Sequence, residues 1–129
     1  LIMNTTTKDK LTLVLGASLN PDRYGNLVIH RLLNNDEQVV AFGRKAGQVA
    51  GVSIETDRDV IEGEEIDTIT LYLNPKNQEP YEDWIISLKP RRVIFNPGTE
   101  NLPFINRLKE EGIEPVVACT LVMLSTRQY

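Results

Sequence analysis

Apolar residues along this chain fall into short continuous runs separated by longer segments in which they recur every three or four positions. The runs Leu11–Leu15, Gln38–Phe42, Asp67–Leu73, Arg92–Phe95 and Glu114–Ala118 are too short for stable helices and rich in β-branched residues, so they predict strands buried on both faces. A weaker stretch, Val52-Ser53-Ile54, predicts an edge strand. Between the runs, Asn26–Leu33 is amphipathic. Gln78–Leu88 places Tyr81, Trp84, Ile85 and Leu88 on one face of a predicted helix, and Asn101–Glu111 does the same for Leu102, Ile105 and Leu108. Asp59–Glu65 reads as an acidic connector, and no repeat or low-complexity tract interrupts the pattern.

Strands that alternate with helices predict an α/β fold: a Rossmann-like three-layer arrangement with a mostly parallel five- or six-stranded sheet, right-handed crossovers and helices on both faces. Ligands of such sheets bind beyond the carboxyl ends of the strands. Those ends carry Gly16-Ala17-Ser18, Phe42-Gly43-Arg44-Lys45, Leu73-Asn74-Pro75, Asn96-Pro97-Gly98 and Cys119-Thr120. One crevice is expected to collect them.

The first end is the most informative. A buried strand that runs into Gly16 lets backbone approach a ligand closely, and the first amides of the helix that follows lack internal partners. With the helix dipole, those donors favour a phosphate or pyrophosphate. Ser18 and Asn20 add neutral hydrogen-bonding groups, Arg23 adds a cation suited to phosphate oxygens, and Tyr24 is placed to contact the ligand or cover the loop. Ser18 and Pro21 stand where the dinucleotide fingerprint needs glycines, which disfavours an ordinary NAD loop. A tight turn that needs Gly16 only for steric reasons would leave the same trace.

The second strand end narrows the ligand. An NAD domain usually has an acidic residue about 20 positions past the loop, to accept the ribose hydroxyls. Here Arg44 and Lys45 follow Phe42-Gly43. Two cations suit a ribose that bears an extra phosphate, which means NADP or coenzyme A, although a solvated basic loop would look alike.

Composition bounds the rest. A chain of 129 residues suits one domain, read as 11–129 after a flexible segment at 1–10. The formal charge of -4 provides no global field for nucleic acid or an anionic membrane, and no apolar run approaches the roughly 20 residues of a membrane span. A single cysteine, Cys119, fits a reducing cytoplasm. With one histidine, His30, soft metal ligands are too few for a zinc site, and the acidic group Glu62, Glu64, Glu65 and Asp67 is read as an exposed connector, so no metal is expected.

The motifs Gly16-Ala17-Ser18 with Asn20, Pro21 and Arg23, the Val40–Arg44 segment, Gly51, Asn96-Pro97-Gly98, Glu111–Glu114 and Ala118–Leu124 together resemble a known family. Over nearly its whole length the chain is similar to the small single-domain CoA-binding proteins of Rossmann type, and to the N-terminal CoA-binding domain of the succinyl-CoA synthetase α-subunit. That resemblance implies that the first loop, Gly16, Ala17, Ser18 and Arg23, holds a pyrophosphate. It implies that Phe42, Gly43, Arg44 and Lys45 hold the adenosine and 3′-phosphate, while the Asn74-Pro75 and Asn96-Pro97-Gly98 loops border the adenine and pantetheine path. The chain departs from the family by lacking Pro and Asn before Arg44.

The synthetase carries its phosphohistidine in a separate domain that this chain lacks, and His30 lies in the first predicted helix, away from the ligand end. The chain alone therefore reads as a binder of CoA or an acyl-CoA rather than an enzyme. Cys119 could face the tip of the pantetheine arm, but reads better as a small buried apolar residue. Tyr81 and Trp84 read as helix packing rather than a nucleic-acid platform. The rivals are a small NADP-binding reductase, a detached subunit of an acyl-CoA synthetase that works with a partner chain, and an interaction module or homodimer built on Leu121–Leu124.

Overall fold

The structure is a computed structural model that describes residues 10–129. The flexible segment expected at 1–10 therefore lies, apart from Lys10, outside the described residues. In chain order the elements are β1 Leu11–Ala17, α1 Tyr24–Asn34, β2 Gln38–Gly43, β3 Gly47–Val49, β4 Val52–Glu55, α2 Arg58–Glu62 and β5 Ile66–Leu71. They continue with α3 Pro75–Gln78, a tight helical turn at Glu79–Tyr81, α4 Glu82–Ser87, β6 Arg92–Phe95, α5 Leu102–Glu110, β7 Glu114–Val117 and α6 Thr120–Ser125.

The strands form one seven-stranded sheet in the order β3-β4-β2-β1-β5-β6-β7, parallel except for β3. The chain leaves β1 toward β2 and β4, then returns to lay β5 on β1's other side, so connections diverge beyond the end of β1. This α/β Rossmann-like architecture is the one the alternating pattern predicts.

Side chains alternate across the sheet because successive strand residues point to opposite faces. Leu13 and Leu15 enter a core with Ile61 of α2, Trp84 and Ile85 of α4, and Phe104, Ile105 and Leu108 of α5. Val14 enters a second core with Val28, Ile29 and Leu32 of α1 and Leu124 of α6. At Gly16, with φ of 98°, the ladder slips, so that Ala17 rather than Gly16 pairs with Gly43. That bulge sends Ala17 to Val14's core instead of Leu15's.

Several expectations are corrected. The sheet has seven strands, not five or six, because Gly47–Val49 forms β3 and Val52–Glu55 sits inside the sheet rather than at its edge. These two strands make a hairpin whose turn residues, Ala50 (φ 52°) and Gly51 (φ 84°), both take left-handed backbone, as a primed turn requires. The helix expected over Gln78–Leu88 is broken into a tight turn and α4, because Pro80 has no N–H to donate. Leu102 is 67% exposed at the start of α5 and Phe104 fills the core instead. The acidic connector holds α2, capped where the Asp57 side chain accepts from Asp59 N at 2.9 Å.

Candidate functional site

The loop between β1 and α1 is shaped mainly by backbone packed on backbone. A Cβ on Gly25 would stand 2.4 Å from the Gly16 carbonyl oxygen, so only glycine lets α1 begin this close to β1. Gly16 itself has left-handed backbone and no room toward Tyr72. Buried Asn26 donates to the Ser18 carbonyl at 2.9 Å and fixes the loop from beneath. Ser18 Oγ accepts from Asn20 N at 3.0 Å, and Asn20 Oδ1 accepts from Asp22 N at 2.9 Å. Those oxygens therefore shape the loop, and Ser18 keeps its hydroxyl proton for donation. Arg23 occupies the N-cap of α1 without capping it, and the first turn carries no acidic residue. The positive end of the helix dipole and the exposed guanidinium thus face the same space.

The end of β2 lies against this loop. A Cβ on Gly43 would be 2.3 Å from the Ala17 carbonyl oxygen, and one on Gly47 would be 2.6 Å from Leu19 Cδ2. Arg44 and Lys45 follow, both exposed. Beside them, Phe42 meets Tyr81 edge-on at 5.8 Å and Trp84 at 5.1 Å, and the Arg58 guanidinium covers the Tyr81 ring at 4.6 Å. Tyr81 therefore borders the crevice as well as packing, a role that the helix reading missed. The aromatic content near a basic strand end is the signal that could have revealed it.

The opposite side is held by side-chain amides. Asn74 caps α3, its Oδ1 accepting from Asn77 N at 2.9 Å. Asn96 is 3% exposed: its Nδ2 donates to Thr70 Oγ1 at 2.7 Å and to the Leu71 carbonyl at 2.9 Å, and its Oδ1 accepts from Thr120 N at 2.8 Å. It ties β5, β6 and α6 together from behind. Burial pushes the neighbouring Tyr72 phenol up to about 12, and its buried hydroxyl has no partner among the described residues that meets hydrogen-bond geometry.

Together these loops enclose a crevice of about 820 Å³ at the carboxyl rim of the sheet. Of the residues expected there, Gly16, Ala17, Ser18, Asn20, Arg23, Tyr24, Phe42, Gly43, Arg44, Lys45, Asn74, Pro97 and Gly98 all line it. Pro75 and Asn96 do not: Pro75 is the first residue of α3, and Asn96 points into the core. Cys119 is half-buried at the start of α6 and away from the crevice wall; His30 is exposed on α1. Leu73, at a strand end expected there, lines it too, and Leu19, Asn77 and Thr99 line the crevice without having been expected. Among the described residues no carboxylate pairs with Arg23, Arg44 or Lys45.

The arrangement can receive an anion between loop amides and three cations, and a flat apolar group near Phe42 and Tyr81. The family model described as a CoA binding domain matches residues 10–125. An uncharacterized protein of known crystal structure is 51% identical, with a TM-score of 0.87 and coverage of 93% of this chain and 98% of that one. A hypothetical protein from Pyrococcus horikoshii is 26% identical, with a TM-score of 0.79, over 92% and 82%. The dinucleotide-forming acetyl-coenzyme A synthetase 1 of Ca. Korarchaeum cryptofilum shares the fold at 15% identity and a TM-score of 0.70, over 84% of this chain and 25% of that one. No curated protein matches the chain. Among the described residues no helix is long and apolar enough to cross a membrane.

Proposed function

Because this chain belongs to the CoA binding domain family, we propose that its crevice binds coenzyme A or an acyl-CoA, with the two phosphate-bearing parts of the ligand on separate loops. The pyrophosphate rests on the amides of Gly16, Ala17 and Ser18, between the end of β1 and the start of α1, and is met by Arg23. The adenosine and its 3′-phosphate lie on Phe42, Gly43, Arg44 and Lys45, with Tyr81 as a further aromatic wall. The pantetheine arm leaves past Asn74 and the Pro97-Gly98 turn. One observation carries this reading: four loops spread along the chain from Gly16 to Thr99 converge on an opening lined by Arg23, Arg44 and Lys45.

Among the described residues, the ionisable side chains lining that opening are these three cations and the phenols of Tyr24, Tyr72 and Tyr81, with no carboxylate, imidazole or thiol. A phenol held near 12 stays protonated and cannot act as a base at neutral pH. Both facts support a chain that binds CoA and presents it, with any chemistry supplied by a partner chain.

Calorimetric titration with CoA, dephospho-CoA, NADP and NAD tests the reading. The expected result is CoA binding that weakens by about tenfold or more when the 3′-phosphate is removed, equivalent to losing one charge-assisted contact. Equal binding of NAD and CoA, or a flat titration with all four, would overturn it. Saturable NADP binding without CoA would favour the reductase reading.

A further inference from the structure

Gln78 is the last residue of α3 and is fully buried, which is unusual for a side chain with two donors and an acceptor. Both of its N–H donors and its carbonyl oxygen are engaged on the crevice's far wall. Its Nε2 donates to the Leu73 carbonyl at 2.8 Å and to the Thr99 carbonyl at 2.7 Å, and its Oε1 accepts from Asn101 Nδ2 at 3.0 Å. Leu73 and Thr99 both line the crevice, one after β5 and the other after β6, and Asn101 in turn caps α5 by accepting from Phe104 N. Thr99 is closed on itself as well, its hydroxyl and its N–H both donating to the Asn96 carbonyl. Two loops that share no backbone ladder beyond Leu71 and Phe95 are thus joined by one amide.

We infer that Gln78 is a positioning residue of the binding site: it locks the Leu73-Asn74 and Pro97-Gly98-Thr99 loops into one wall and so sets the width of the channel for the pantetheine arm. The inference rests on the CoA reading of the crevice. Physically, two carbonyl oxygens at 2.7 and 2.8 Å from one nitrogen are held together only while that nitrogen carries two protons. An oxygen in its place repels both, and the loops separate. The nucleotide end lies mainly on the opposite wall, so the effect should be unequal along the ligand.

Gln78→Glu replaces the amide by an isosteric oxygen acid, and Gln78→Met removes the donors without adding charge. Each is compared with the unaltered chain by calorimetry against CoA and against 3′-phospho-ADP, the nucleotide part of CoA, with thermal melting as a check on folding. Amide NMR shifts of Asn74, Gly98 and Thr99 in the unliganded chain give a readout independent of any ligand. Expected are displaced shifts at all three amides in both variants, CoA affinity lower by about tenfold or more, and 3′-phospho-ADP affinity within about twofold of the unaltered chain. Unmoved shifts, or an equal loss for both ligands, would overturn the inference. If the unaltered chain binds neither ligand, the CoA reading fails, while the shifts still decide whether Gln78 joins the loops. Should neither variant fold, Asn101→Asp tests the same clamp by removing the proton given to Gln78 Oε1; unchanged shifts at Gly98 and Thr99 in that variant would overturn the inference.

Discussion

The two walls of the crevice are built from different materials. On the β1–β2 side backbone touches backbone: Gly25 against the Gly16 carbonyl and Gly43 against the Ala17 carbonyl, each too close for a Cβ. On the β5–β6 side, side-chain amides of Asn74, Gln78 and Asn96 hold the loops. A wall made by missing side chains leaves its three cations without carboxylate partners among the described residues. A wall made by amide clamps has already spent most of its polar groups internally. The first is suited to a charged ligand end and the second to guiding a neutral one.

The largest expected effect comes from breaking the first wall. Gly43→Ala forces Ala17 and Gly43 apart, with a cost of about 3 kcal/mol in unfolding free energy, at the upper end for overpacking, because the clash is with backbone that cannot rotate away. Urea denaturation measures it, and a change below about 1 kcal/mol would show that the strands slide freely. Asn96→Ala breaks the second wall at its root: it leaves Thr120 N and the Leu71 carbonyl without this partner, with an expected loss of about 2 kcal/mol. Because Asn96 lies behind the crevice, the ratio of CoA to dephospho-CoA affinity should stay constant in the folded variant.

Arg44→Ala should leave stability intact and lower CoA affinity by about 1.5 to 3 kcal/mol, while dephospho-CoA binding changes little. Equal losses for both ligands would place Arg44 on the pyrophosphate instead. The smallest effect at neutral pH is expected from Tyr72→Phe, under about 1 kcal/mol, since the hydroxyl it deletes has no partner among the described residues. Its signature is alkaline. The folded chain holds this phenol neutral up to about pH 12 against an ordinary 10, so stability that is fully present below pH 10 is lost as the pH climbs from 10 to 12. Tyr72→Phe should flatten that decline, leaving the part due to Tyr129, which burial also raises.

Legibility in the sequence followed how local each feature's cause was. The strand, loop and helix from Leu11 to Asn34 were legible because a strand-length apolar run, Gly16, and an amphipathic period are all set within a few residues. The Gly47–Val49 strand was not. Three residues without β-branched alternation give too little period to read, and Ala50-Gly51 is not the Asn-Gly or Asp-Gly pair that marks a tight hairpin turn. Asn96 and Pro97 adjoin in the chain, yet one turns into the core and the other lines the crevice. Only the neighbours Thr70 and Thr120 explain the difference.

The amino-acid order alone determined the layering, the place of the opening at the strands' carboxyl ends, and the basic character of Arg23, Arg44 and Lys45, since hydrophobic period and side-chain charge are local properties. What three dimensions decided was which side-chain amides line the crevice and which are consumed inside the protein. A hydrogen-bonding side chain bears no mark of its partner until distant strands are brought within about 3 Å of it.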